Sequence, residues 1–491
     1  MLLRFAAGTT LINLITALAA LARGKLAAII LGTAGVGLYG QVDSFYRGLV
    51  QICILSTGAG VTRCIAELKG TGDTAGIRRA FWTITAFSLS LSVLVAVLVL
   101  TTSPNLSSAV VGDRRYALFL SVVALGLPLQ ALSDIIMGML VGLRDLRAQF
   151  WITAAYTVGG LLVYALLIFR YGLSGAVYSV LAVTICTCAV SVFFLRKRRA
   201  SEIRLVAGEK HIDLRLLRFI LAIGLTGGIM AITDRVVVLI FRTILIRRFG
   251  FEANGLYQAV YSLSQLTIAM AFGFVNTYLV PTLSGLQGDP DRTHIEFSSA
   301  LRLTLLIATL CSAVTVLFGK FVILATYSSA FLGAVPLLRY QAFGDFFRAL
   351  TLLLAATIFS VHGWKPWFAI GMSFHVAYVL FFALTLPFCG LKAISIAYLL
   401  AYCTACGLAI LLFTQYTKIS FLAGQSSLLL RSVALLLAGV ALAWLGNVHL
   451  TYILGTAAIL IWARFAFTSS EYRRLWSYVS TPVALFSSGE R

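Results

Sequence analysis

Arg23, Lys25, Arg47, Arg235, Arg242 and Arg348 all fall inside long apolar stretches, where charge is costly and is retained for a cavity, a partner or a pathway. Arg235 and Arg242 are seven apart and so share a helix face. Such a group suits an anion, phosphate above all, because a guanidinium is a planar fork that engages two oxygens at once. Asp134, Asp234 and Asp345 lie in similar surroundings and are candidates for coupling an ion to transport. A competing reading is neutralisation within pairs. Asp43 and Arg47 are four apart and Asp345 and Arg348 three apart, spacings at which partners meet along a helix. A second is interfacial snorkelling, which would account for Arg242 and Lys320 near helix ends. His375 could titrate near neutral pH, but a lone histidine in a span is more often a packing residue. Cys403 and Cys406 have redox-motif spacing but sit in an apolar run without a second pair, and read as small hydrophobes. No catalytic constellation, metal-ligand cluster or nucleotide loop stands out, so an enzyme and a resident cofactor are not expected. Coupling to H+ or Na+ is a hypothesis.

These residues must be held by membrane helices. Sixty per cent of the 491 residues are apolar and 11% charged, too little charge to cover a soluble surface. The apolar runs are roughly 20 residues long, enough for a hydrocarbon core of about 30 Å. They are continuous and not alternating, which excludes a barrel and requires helices. The expected fold is an all-α polytopic membrane protein of about fourteen helices. The first run continues from Leu2 to about Leu31, longer than a signal-peptide core, and reads as a true span.

The net charge of +21 is read as topology, with no nucleic-acid partner. Basic residues such as Lys69, Arg78, Arg144, Arg147 and the run Arg196–Arg199 collect on alternate loops, and the positive-inside bias places the N-terminus in the cytoplasm. The expected organisation is a lobe of six helices over 1–195, a basic connector over 196–215, a second six-helix lobe over 216–414, and a helix pair with a cytoplasmic tail over 415–491. One constant shift carries Gly172 onto Gly390, Cys188 onto Cys406 and Tyr164 onto Phe382. With an even number of spans per block, the two lobes would be related by a pseudo-twofold along the membrane normal, a transporter arrangement. Arg23 and Lys25 on the first span, with Arg235 and Arg242 on the seventh, would then give two cationic surfaces lining a lumen.

Three stretches carry a resemblance. They are Gly24-Lys25-Leu26 with Gly32 to Gly37; Arg242 through Gly255-Leu256-Tyr257-Gln258 to Tyr278-Leu279-Val280-Pro281; and Gly344-Asp345 with Arg348. In their order along about residues 1–414 the chain resembles the Wzx-type polysaccharide flippases of O-antigen and enterobacterial common antigen assembly. Those belong to the multidrug/oligosaccharidyl-lipid/polysaccharide exporter superfamily. The resemblance implies a two-lobed fold with a cationic lumen in a bacterial inner membrane. It implies alternating-access transport of an undecaprenyl-pyrophosphate-linked glycan from the cytoplasmic to the periplasmic leaflet, with membrane lipids, a polysaccharide polymerase and chain-length proteins as partners. Arg23, Lys25, Arg242, Asp345 and Arg348 would be lumen residues. Arg348 stands where the nearest branch is expected to carry Lys, and the terminal helix pair departs from a twelve-span pattern. A lipid II flippase has similar chemistry. A multidrug or cation antiporter would need a lumen dominated by carboxylates, and a glycan polymerase or ligase a large periplasmic loop. A scaffold for glycan assembly is the remaining alternative.

Overall fold

The computed structural model describes residues 2–55, 57–198, 212–275, 279–286, 290–417, 422, 424–444 and 448–467. Most of the basic connector (199–211), Tyr278 and the tail after 467 lie outside the described residues. No strand occurs among the described residues. Lipid offers the backbone no hydrogen bonds, so each apolar run closes its own ladder as a helix.

Among the described residues, nine stretches are long and apolar enough to cross a membrane. The chain is a multi-pass membrane protein. Three of the stretches are 40, 51 and 54 residues long, about twice what one crossing needs. Each contains a glycine with positive φ. In α1 (Leu2–Ile54) it is Gly32, at φ 65°, and in α7 (Gly160–Arg198) it is Gly172, at φ 56°. Gly390, at φ 54°, stands between α13 (Trp364–Cys389) and α14 (Ala393–Thr417). A fourth such glycine, Gly250 at φ 84°, interrupts α8 (Leu214–Phe274). A side chain there would be strained, so glycine lets the chain turn sharply while remaining helical on both sides. The glycine-rich segment after Leu31 is therefore not the loop its composition suggests. Helix resumes at once and runs to Ile54, Leu55 (φ 46°) ends it, and α2 (Thr57–Gly70) follows separately.

The four glycines form two pairs. The shift that carries Gly172 onto Gly390 also carries Gly32 onto Gly250, and both members of each pair have positive φ. It carries Gly37 onto Gly255 as well, and these two pack together. A Cβ on Gly37 would overlap the Phe251 carbonyl, and one on Gly255 would overlap the Thr33 carbonyl. Asn254 Nδ2 donates to Gly37 O at 2.7 Å across the same contact.

Packing divides the chain into two units. The first comprises Met1–Leu263, Lys320–Leu337 and Gly371–Ala397, and the second Ser264–Gly319, Leu338–Ile370 and Tyr398–Arg491. They interleave in sequence, so packing groups the chain differently from linear lobes. In the first unit α1 packs on α7, and α2 on α5 (Leu127–Gly142). In the second, α10 (Pro290–Leu317) packs against the terminal pair α15 (Ser426–Trp444) and α16 (Val448–Ala466). Trp462 Nε1 donates to Ser432 Oγ at 3.3 Å and Arg431 Nη1 to Phe465 O at 2.8 Å, which sets that pair antiparallel. Arg302 Nη2 on α10 reaches the Ala466 carbonyl at 2.8 Å and closes the end of α16.

Candidate functional site: an arginine cavity

The first unit encloses a polar cavity of about 210 Å³. From α1 come Arg23, Tyr39, Asp43, Tyr46 and Arg47, from α5 Gln130, from α7 Tyr164 and Thr184, and from α8 Arg235. Tyr156 completes it from a π-helical turn, Ala155–Gly159. On α1 the spacing 39, 43, 46, 47 follows one helical face, and Arg23, on the helical segment before the bend at Gly32, reaches the same cavity.

Arg47 Nε bonds Asp43 Oδ2 at 2.7 Å, so the four-residue spacing does form a pair. Among the described residues Arg23 pairs with no carboxylate. Its Nη2 donates to the Tyr156 carbonyl at 3.3 Å, and its guanidinium carbon lies 5.9 Å from the ring centres of Tyr156 and Tyr164. Its Nε is buried with no hydrogen-bond partner among the described residues. Gly160 leaves room for it, since a Cβ there would overlap Arg23 Nη2. Arg235 Nη1 donates to Tyr261 Oη at 3.2 Å. Arg23, Arg47 and Arg235 thus share one lining carboxylate, Asp43. Low surrounding polarity strengthens what the excess positive charge does to a ligand. Such a cavity selects an anion.

The remaining sequence-derived candidates lie elsewhere. Lys25 Nζ donates to the Leu324 carbonyl at 2.7 Å and also to that of Tyr327, closing the C-terminal end of α11 (Gly319–Thr326). Arg242 is wholly buried and bonds Gln258 Oε1 at 2.5 Å. Its guanidinium carbon is 5.2 Å from the rings of both Tyr257 and Tyr261. Its Nε and Nη1 have no hydrogen-bond partner among the described residues. Asp134 accepts from Gln130, a cavity residue, at 3.0 Å. Asp234 interacts electrostatically with His375.

Asp345 and Arg348 belong to the second unit. Three apart on α12 (Val335–His362), they do not form the direct ion pair the spacing suggests. Asp345 Oδ1 accepts from Ser264 Oγ at 2.5 Å and Tyr398 Oη at 2.7 Å. With the carboxylate satisfied by hydroxyls, Arg348 turns to Tyr398 Oη at 3.2 Å and Gln265 Oε1 at 3.4 Å. Tyr398 therefore stands between acid and base, donating to one and accepting from the other.

Residues 48–336 match the family described as polysaccharide biosynthesis protein. The chain belongs to that family. The matched stretch contains Gln130, Tyr156, Tyr164 and Arg235 of the cavity, while Arg23, Asp43 and Arg47 precede it. The chain is similar to the lipid III flippase of Escherichia coli K12, with 24% identity over 328 residues, 66% of this chain and 76% of the relative. The lipid III flippase of Shigella flexneri matches with the same figures. Among solved structures, a multidrug-resistance MATE transporter of the MOP superfamily, in an inward-facing conformation, superposes with a TM-score of 0.73 at 16% identity. That match covers 84% of this chain and 96% of the other. A MOP-superfamily transporter of Pyrococcus furiosus, titled for the reverse polarity of its binding pocket, gives a TM-score of 0.60 at 16% identity, covering 84% and 93%. The fold is that of the MOP transporters.

Sequence reasoning found the arginines of this family member and missed their setting. Tyr39, Tyr156, Tyr164, Gln130 and Tyr398 were not singled out, because tyrosine and glutamine carry no net charge, and charge is what marks a residue in an apolar run. Only the repeat alignment of Tyr164 with Phe382 held a signal.

Proposed function

We propose that the protein is a flippase that moves an undecaprenyl-pyrophosphate-linked oligosaccharide across a bacterial inner membrane by alternating access. The observation that carries this reading is the cavity in which Arg23, Arg47 and Arg235 face a single lining carboxylate. A pyrophosphate crossing about 30 Å of hydrocarbon needs a lined path, and guanidinium forks supply paired donors to its oxygens. The tyrosine rings around Arg23 hold a cation in place without neutralising it. Family membership and the lipid III flippase relatives support a lipid-linked saccharide.

Fourteen crossings follow if the three long stretches each bend at their glycine into two and α8, bent at Gly250, adds two more to the nine, in two lobes of six with the terminal pair added. The N-terminus then lies in the cytoplasm, where Arg144, Arg147, Arg196 and Lys197 gather. Coupling to H+ or Na+ would use Asp345, whose contacts with Ser264, Tyr398 and, through Tyr398, Arg348 change with its charge. Asp234, and Asp134 beside Gln130, are further candidates for that coupling.

The deciding experiment is translocation of a fluorescent undecaprenyl-pyrophosphate sugar by purified protein in proteoliposomes, with Arg23→Ala and Arg348→Ala alongside wild type. Transport by wild type, with loss in both folded variants, is expected. A second reading, multidrug antiport, is favoured by the MATE neighbours but not by the cationic cavity. Proton-coupled efflux of organic cations, with no movement of any lipid-linked sugar, would establish it instead. Lipid II in place of the oligosaccharide lipid is separated by offering both in the same assay.

A further inference from the structure

A second cavity adjoins the arginine site and is chemically its opposite. It measures about 680 Å³ and is lined by Ile15 on α1, Phe150 and Trp151 on α6 (Leu146–Ala154), and Val190, Phe193 and Phe194 on α7. The hydroxyls of Thr16 and Thr157 at its edge lie 3.3 Å apart and bond each other. The wall between the two cavities is the π-helical turn. Tyr156 faces the arginine cavity, while Ala155, Thr157, Val158 and Gly159 face the apolar groove. The wider turn of a π-helix is often kept at functional sites, and here the Tyr156 carbonyl serves Arg23.

Two basic residues stand one turn beyond the groove's lining. Arg147 lies one helical turn before Phe150 and Trp151, and Lys197 one turn after Phe193 and Phe194, and both are exposed. Spacings of three and four put each on the apolar face it follows or precedes.

We propose that this groove takes the polyprenyl tail of the transported lipid. The head group first rests against Arg147 and Lys197, and then passes the Ala155–Gly159 turn to reach Arg23 while the tail stays in the groove. From Arg147 to Tyr156 is roughly 14 Å of helix. Two observations favour the substrate's own tail over an ordinary phospholipid. The groove is separated from the arginine cavity by a single turn, and the basic residues beyond its lining carry charge complementary to a pyrophosphate. The inference rests on the lipid-linked reading above.

Gly159 provides the test, because it lines the groove and a Cβ there would meet nothing within 4 Å, so a large side chain has open space to enter. Two probes are compared in proteoliposomes: one fluorescent hexosamine pyrophosphate on an undecaprenyl chain and the same head on a geranyl chain. Gly159→Trp is expected to raise KM for the undecaprenyl probe about tenfold, to affect the geranyl probe less, and to leave the melting temperature unchanged. An equal effect on both probes, or none on either, overturns the groove. A benzophenone side chain placed at Phe193 should also cross-link the undecaprenyl probe, less so with Arg147→Glu and Lys197→Glu together. Adducts with bulk phospholipid alone overturn the groove. Wild type that moves neither probe yet cross-links the long one keeps the groove and defeats the flippase reading.

Discussion

Arg23 and Lys25 are two residues apart and do different work. Arg23 lies among tyrosine rings in the arginine cavity, and Lys25 closes a helix end. Arg23→Ala should cut lipid-linked sugar transport about 10- to 100-fold, the worth of one charge-assisted contact, with the melting temperature nearly unchanged. Lys25→Ala should cost about 1.5–3 kcal/mol of stability, seen as a lower melting temperature, while transport per folded molecule stays within about twofold. Both charges are plain in the sequence, since a charge in an apolar run is conspicuous. Their division of labour is not, because it depends on carbonyls some 300 positions away, at Leu324 and Tyr327. Asp345 and Arg348 teach the same lesson. Spacing brings them together on one helix, but Tyr398, fifty positions from Arg348, decides how they connect. Tyr398→Phe should uncouple transport from the ion gradient, which a comparison of uptake with and without an imposed gradient measures. Unchanged gradient dependence would remove this cluster from the coupling step.

At the scale of elements, apolar run length made the helices legible, and most runs have their helix. Where the chain bends was less so. A glycine can end a helix, pack closely or merely be tolerated, and composition does not say which. Gly32 and Gly250 bend long helices at positive φ, while Gly37 and Gly255 serve close approach. Gly32→Ala and Gly250→Ala should each cost about 1–2 kcal/mol, by thermal melting in detergent. Gly37→Leu should be worse, since it pushes into backbone and not into a side chain that can move; failure of that variant to accumulate in the membrane is the expected result. The π-helical turn at Ala155–Gly159 has no sequence signature at all, since any apolar helix could carry it.

For the whole molecule, the loop charges predict topology, and labelling can read it. In a cysteine-free background, Asp113→Cys should react with an impermeant maleimide from the periplasm, and Arg144→Cys only after the cells are opened. The constant shift pairs the bending glycines but not the arginines of the cavity. The shift that pairs the bending glycines also pairs Arg23 with Phe241 and Tyr164 with Phe382. Arg23 lies over Tyr164, whereas Phe241 stacks on Phe382 with ring centres 4.2 Å apart. One copy of the motif is a cation on an aromatic, and the other is sealed with two aromatics.

The contact between Gly37 and Gly255 has a bearing on origin. A residue that touches its own repeat equivalent, each against the other's backbone, is what a self-associating half-length chain forms at its symmetry axis. In a duplicated gene such a contact exists from the first generation, whereas an arginine at position 23 with a phenylalanine at the shifted position 241 must be acquired afterwards. If the chain arose by duplication of a half-length gene, the glycine pair would descend from a homodimer contact, and the arginine cavity would be what fusion left free to diverge.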